Sequence, residues 1–283
     1  SPRRLPAIAG AVEFRDVTFH YPGSERDILR HMSFRIEPGQ TVALVGPTGS
    51  GKSTVVALLT RLYDPTGGVV LLDGVPLPEL SLEQLRGAMG VVGQDAFVFS
   101  ETIEENVALG MAPGEERDAR VRRAAAIAQL DEAVQEFPTG YQTRLGERGV
   151  NLSGGQRQRT TLARAIARDP RILILDDALS AVDTQTETRI LQGLRTVLQG
   201  RTSIIVSHRV TAVMNADLIL VLDGGAIVER GTHAELVARR GLYATLLRRQ
   251  LLEEALDEDG VSGRRSDGHN PGERRDARPG EES

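Results

Sequence analysis

Three observations place this chain in the α/β class, with a mostly parallel sheet, helices on both faces and a helical lobe inserted between the strands. Short apolar runs at 41–45, 171–176, 203–206 and 218–222 alternate with segments of helical periodicity, the pattern that builds parallel sheets. The first run leads directly into a Gly-rich loop and then a helical stretch. Residues from about 95 to 168 change to an Ala-, Glu-, Arg- and Leu-rich composition, as a helical insertion requires.

Composition narrows the possible functions. At 283 residues, 40% hydrophobic and 26% charged, the chain has the size and balance of a globular protein with a real core. A net charge of −5 without any Lys/Arg block argues against a nucleic-acid surface. The absence of cysteine excludes disulfide staples and thiolate zinc sites and suits a reducing compartment. No apolar run approaches the ~18 residues that span a bilayer. The opening Ser1-Pro2-Arg3-Arg4-Leu5-Pro6 lacks both the apolar core of a secretion signal and an initiator Met, so the chain is expected to be a piece of a longer one.

Residues 1–10, with two prolines and no periodicity, are expected to form a linker. Apolar-aromatic alternation predicts strands at 12–19 and 32–36, separated by Pro22-Gly23. After the strand at 41–45 comes a helix at 53–63, then a hairpin around Leu71-Leu72-Asp73-Gly74. Ser81-x-x-Gln84 has capping-box spacing and should open a short helix. Within the lobe, Val121, Ala125, Ala128 and Leu130 mark a helical stripe. The core pattern then resumes with strand 171–176, helix 184–198 and strands 203–206 and 218–222. A Gly224-Gly225 turn and strand 226–229 follow, and Thr232-x-x-Glu235 caps the last helices, expected to end near residue 254. From Asp257 the composition collapses to Gly, Arg, Asp and Glu with one Val and one Ala. Such a segment buries too little surface to offset ordering entropy, so 257–283 is expected to be a disordered charged tail.

The stretch Gly46-Pro47-Thr48-Gly49-Ser50-Gly51-Lys52-Ser53-Thr54 matches G-x-x-x-x-G-K-[ST], between an apolar strand and a helix. The glycines let backbone N–H groups face phosphate oxygens, and the helix N-terminus adds its dipole. Lys52 would carry positive charge to the β and γ phosphates, and the Ser53 hydroxyl suits Mg2+, which prefers hard oxygen ligands. This motif predicts binding of a nucleoside triphosphate.

Further motifs narrow the family. Leu152-Ser153-Gly154-Gly155-Gln156 is followed by a helical pattern and by an apolar strand ending in Asp176-Asp177. In that order they resemble the ABC ATPase family, over roughly residues 11–250. The resemblance implies a P-loop ABC ATPase core, with an antiparallel β subdomain beside the mostly parallel sheet. It implies ATP as substrate, Tyr21 stacking on adenine, and Gln94 in the loop joining the lobes, contacting Mg2+ and its water. Asp176 takes the position of the magnesium aspartate, and His208 after the strand at 203–206 that of the histidine contacting the γ-phosphate. Ser153, Gly154, Gly155 and Gln156 also have capping-box spacing; in the family this helix end meets the γ-phosphate held by the other nucleotide-binding domain. Asp183, in Ser180-Ala181-Val182-Asp183, corresponds to a residue crossing that dimer interface.

Residues 99–107 and Thr143-Arg144-Leu145-Gly146-Glu147-Arg148-Gly149 look like exporter versions of their segments. The resemblance therefore extends to half-transporters, most like bacterial multidrug half-transporters that pair as heterodimers. A membrane domain would precede residue 11 on the same chain, a second half-transporter subunit would be the partner, and the site would be the cytoplasmic face of the inner membrane. A soluble ABC ATPase of DNA repair or translation fits less well, given these loops and the lack of a basic face. Asp177 stands where competent members carry glutamate. In-line attack on the γ-phosphate needs a carboxylate to orient or deprotonate water, and an aspartate sits roughly 1 Å or more back, a misplacement that can cost ~10²-fold. Two outcomes stay open: a working ATPase, or a degenerate site that binds ATP and leaves most hydrolysis to its partner.

Overall fold

The computed structural model describes residues 2–146 and 152–263. Strand β1, Val12–Phe19, buries alternate side chains and pairs antiparallel with β2, Leu29–Ile36, which starts three residues earlier than the expected 32. Strand β3, Thr41–Val45, belongs to a second sheet. Strand β4, Gly67–Leu72, returns to β1 and turns into β5, Val75–Pro76, through Asp73 and Gly74 at φ of 50° and 78°. Positive φ at both positions is what a two-residue hairpin of matching twist requires. These four strands form an antiparallel sheet in the order β2-β1-β4-β5.

The second sheet adds β6 (Met89–Val92), β7 (Ile172–Asp176), β8 (Thr202–Val206), β9 (Leu218–Asp223) and β10 (Ala226–Gly231), in the order β10-β9-β3-β8-β7-β6. Every pairing in it is parallel except β9 with β10, which the Gly224-Gly225 turn joins. β7 is buried at all five positions, because a central parallel strand is covered on both faces. Ile172 and Ile174 join one core with the antiparallel sheet, and Leu173 and Leu175 join another with the helical lobe.

Helix α1, Lys52–Leu59, stops short of the expected residue 63. Arg61 adopts φ 52°, its N–H reaches Leu58 O, and Leu62 N–H reaches Ala57 O. That is a Schellman closure without the usual glycine, which is why the sequence hides it. α2, Leu82–Gly87, starts at Ser81 as its spacing predicts, with the Ser81 hydroxyl accepting from Gln84 N–H. The lobe holds α3 (Ile103–Val107), α4 (Arg117–Ile127), α5 (Leu130–Gln135) and α6 (Gly154–Ala167). The stripe of Val121, Ala125, Ala128 and Leu130 is buried as expected, yet it spans two helices, because Gln129 at φ 53° breaks the first from the second. α7, Thr184–Leu198, runs between β7 and β8.

α8, His233–Arg239, and α9, Leu242–Gly263, close the fold over a third core of Ala43, Val45, Val221, Leu236 and Tyr243. α9 continues past residue 254 and past the Asp257 boundary to Gly263, so the expected tail begins as helix; residues 264–283 lie outside the described residues. The N-terminal segment is fastened to the body. The Asp73 carboxylate accepts from the N–H groups of Ala9, Gly10 and Ala11, and the Gln84 amide both accepts from Leu5 N–H and donates to Leu5 O. Among the described residues no helix is long and apolar enough to cross a membrane.

Candidate active site

Four neighbouring parallel strands deliver the candidate residues to one edge. β3 runs into the Gly-rich loop, β8 ends two residues before His208, β7 ends at Asp176, and β6 ends two residues before Gln94. Because these strands are adjacent and share one direction, their carboxyl ends converge, where open α/β sheets form binding crevices.

The loop after β3 is shaped by glycine. Gly46 has φ 152°, and a Cβ there would lie 2.1 Å from Leu222 O; Gly51 has φ 103°, and its Cβ would meet Leu29 Cδ2 at 2.6 Å. No other residue fits either position. Lys52 is the first residue of α1, and its Nζ donates to Gly46 O at 2.8 Å, Pro47 O at 2.9 Å and Ser50 Oγ at 3.4 Å. These bonds hold the ammonium inside the loop. Burial pulls the Lys52 ammonium below the ordinary lysine range, opposed by the carboxylates of Asp177 and Asp176. The crevice is lined by Ile28, Thr48, Gly49, Gly51, Lys52, Ser53, Thr54, Gln94, Asp177, Ser180 and His208.

Asp176 is 6% exposed, and its Oδ1 accepts from Ser53 Oγ at 3.4 Å. Burial raises its carboxyl above the usual carboxylate range and Asp177 adds to the shift, while the Ser53 hydrogen bond and Lys52 oppose it. Asp177 adopts φ 47°, with its N–H fastened to Val206 O at 2.9 Å. Its carboxylate is engaged on both oxygens. Oδ1 takes the His208 backbone N–H at 3.2 Å and lies 2.8 Å from His208 Nδ1; Oδ2 accepts from Gln94 Nε2 at 3.2 Å.

Lys52, Ser53, Asp176, Asp177, Gln94 and His208 are thus brought together. Tyr21 stands beside them rather than on the crevice wall. Its hydroxyl lies 3.1 Å from Thr54 Oγ1, and its ring meets Phe19 and Tyr63 edge-on at 5.0 and 5.3 Å.

The other expected residues sit elsewhere. Ser153 and Gln156 form a reciprocal capping box at the start of α6, so that expectation holds in its local sense. Gly155 approaches the 180–183 loop so closely that a Cβ would lie 3.0 Å from Ala181 O. Asp183 caps α7, accepting from Thr186 N–H at 2.9 Å, and that bond draws its carboxyl below the ordinary range. Of the exporter-like loop 143–149, residues 147–149 lie outside the described residues.

Two residues were not anticipated. Ile28 contributes an apolar patch to the crevice, and nothing in its sequence context marks it. Gln158 is 3% exposed on α6; its Oε1 accepts from Ala181 N–H at 2.8 Å and its Nε2 donates to Ser180 Oγ at 2.9 Å. The available signal was a polar residue on the stripe that continues with Leu162 and Ala165.

The arrangement is a phosphate loop facing a buried carboxylate and a carboxylate–imidazole–amide cluster, the parts that phosphoryl transfer needs for positioning and charge stabilisation. Comparison with known proteins agrees. Residues 29–180, more than half of the chain, match the family described as ABC transporter. An ATP-dependent lipid A-core flippase of Burkholderia orbicola (strain AU 1054) is 46% identical over 253 residues, 89% of this chain and 42% of that protein. Multidrug resistance protein pgp-1 of Caenorhabditis elegans is 45% identical over 248 residues, 87% of this chain and 19% of that protein. The chain therefore spans less than half the length of these relatives. A solved structure of a bacterial Atm1-family ABC exporter with ATP bound matches at a TM-score of 0.83 and 42% identity, covering 88% of this chain and 43% of that one. With the phosphate loop, the buried aspartate and the α6 capping sequence all in this frame, the chain belongs to the ABC transporter family, as an ATP-binding ATPase domain of the exporter type.

Proposed function

We propose that this domain binds and hydrolyses ATP to power an exporter half-transporter, moving a small molecule, drug or lipid across a membrane. The observation that carries the reading is the convergence, at adjacent strand ends, of the Lys52 loop, the Ser53–Asp176 pair and the Asp177–His208–Gln94 cluster. Lys52 and the amides of the 46–54 loop bind the phosphates. Asp177 and His208 orient the attacking water and contact the γ-phosphate, with Gln94 holding the second carboxylate oxygen. A membrane domain on the same polypeptide and a second ABC subunit would complete the transporter, with this domain on the cytoplasmic face of the membrane.

The residues present fit Mg2+. Ser53 Oγ and Asp176 Oδ1 are hard oxygen donors 3.4 Å apart, beside Gln94, and the buried Asp176 has its carboxyl raised by lost hydration. Among the described residues there is no group of three or more His, Cys, Asp or Glu that could hold a metal; Mg2+ at such a site is held by one or two protein oxygens together with substrate phosphates. When bound, Mg2+ would neutralise charge on those phosphates.

Titration calorimetry tests the reading. ATP should bind the wild-type chain, and Lys52→Ala should weaken binding about 10- to 100-fold, the worth of one charge-assisted contact; unchanged affinity in a folded variant would refute it.

A second reading is favoured by Asp177 itself. Both of its oxygens are taken by His208 and Gln94, which draws a short carboxylate to the crevice wall. In this reading the chain binds ATP, turns it over slowly, and lends the 153–156 helix end to a competent site on a heterodimer partner.

A further inference from the structure

We infer that Gln250 of the C-terminal helix α9 is a positioning residue for His208, and that α9 thereby belongs to the apparatus of hydrolysis. The inference rests on the reading that this chain's own site turns over ATP.

His208 stands on a short loop between β8 and a 3₁₀ turn, Val210–Val213. Each backbone N–H along it has a distinct holder. Ser207 N–H donates to Leu44 O at 3.2 Å, His208 N–H to Asp177 Oδ1 at 3.2 Å, and Arg209 N–H to Ser207 Oγ at 3.0 Å. The next one, Val210 N–H, donates to Gln250 Oε1 at 2.6 Å, and Gln250 Nε2 donates onward to Thr211 Oγ1 at 2.7 Å. A single amide from a helix some forty residues away thus fixes two successive residues, two positions beyond the imidazole.

The clamp is rigid at both ends. Val210 is 1% exposed, so its N–H has no water to fall back on. On α9, Tyr243 is fully buried, Leu246 and Leu247 pack on the same core as Val210 and Val213, and the first turn is held by Glu229, which accepts from Leu242 and Tyr243 N–H at 3.1 and 2.9 Å. Gln250 follows Tyr243 and Leu247 on the inward stripe. The Arg209 side chain is separately paired with Glu187 of α7, so the loop is fixed from α7 on one side and α9 on the other. Loss of the α9 tether releases the segment that aims His208 Nδ1 at Asp177, and misplacement by about 1 Å can cost as much as ~10²-fold in rate.

The test uses the full chain and compares Gln250→Leu with Gln250→Glu, alone and in a His208→Ala background, by ATP turnover and by the imidazole nitrogen NMR resonances of His208. Gln250→Leu should lower kcat about tenfold or more while KM for ATP changes less than about threefold, because the phosphate loop is untouched. Gln250→Glu keeps the acceptor for Val210 N–H, loses the donor to Thr211 Oγ1, whose hydroxyl can turn to donate to the carboxylate instead, and should restore most of the rate. In the His208→Ala background, Gln250→Leu should cause no further loss. An equal loss in both backgrounds, or no rescue by glutamate, overturns the inference. If the wild-type chain shows no turnover, the hydrolysis reading fails. The resonances then decide the tether: a shift in Gln250→Leu sustains it, and unchanged His208 signals overturn it.

Discussion

Replacing Asp177 with glutamate should raise the rate of ATP hydrolysis, and the structure sets the scale. The Asp177 backbone is pinned, with N–H to Val206 O at 2.9 Å and φ 47°, so an added methylene must be expressed at the carboxylate. That group lies 2.8 Å from His208 Nδ1, 3.2 Å from His208 N and 3.2 Å from Gln94 Nε2. An advance of roughly 1 Å breaks at least one of these bonds and carries the oxygens toward the phosphate loop. The gain is up to ~10²-fold in turnover, or about 2.7 kcal/mol of barrier. The cost is about 1–3 kcal/mol of stability from the surrendered hydrogen bonds. Phosphate release at saturating ATP and matched protein concentration, paired with a thermal melt, reads both. A glutamate variant that binds ATP normally yet hydrolyses it no faster than wild type would refute the argument from reach.

Asp176→Asn should stabilise the domain while abolishing metal-dependent turnover. Burial raises the Asp176 carboxyl in the folded state, so its favourable contribution is complete below the unfolded-state value, ~3.9, and is lost as pH rises through the raised folded value. The variant should therefore melt above wild type at pH 7–8, by about 0.5–2 kcal/mol, with the gap closing below pH ~4; equal melting at both ends refutes the assignment. Gln158→Leu should cost about 1–2 kcal/mol by orphaning Ala181 N–H and the Ser180 hydroxyl, a melting shift of roughly 2–8 °C. ATP affinity should be unchanged, and an unaltered melt would show that the bridge contributes nothing.

The strands and the phosphate loop were legible because their physics is local. An apolar run, a glycine pattern and a capping spacing each act within about ten residues, and β1, α7 and the Ser81, Ser153 and Thr232 caps fall where those patterns place them. The early end of α1 was not legible, since Arg61 takes the left-handed position without a glycine to announce it. Nor was the break at Gln129, where an apolar stripe continues across two helices. The extension of α9 past Asp257 ran against composition, because helix continuation needs no buried surface once the helix is nucleated by packing at Tyr243 and Leu247. At the site, the motif residues were readable by type, but the sharing of both Asp177 oxygens between His208 and Gln94 depends on the order of four strands.

Four carboxamide side chains share one chemistry. A loop presents an N–H beside a carbonyl or hydroxyl, and an amide side chain offers an acceptor and a donor on separate atoms, one for each. Gln158 takes Ala181 N–H and gives to Ser180 Oγ; Gln250 takes Val210 N–H and gives to Thr211 Oγ1. Asn106 does the same for both polar groups of Phe99, and Gln84 for both of Leu5. Gln158 and Gln250 lie on the inward stripes of α6 and α9, where a polar residue interrupts apolar spacing and therefore needs a satisfied partner. Their targets are the loops after β7 and β8, which carry Asp177 and His208. One amide on α6 and one on α9 thus hold the loops that carry Asp177 and His208.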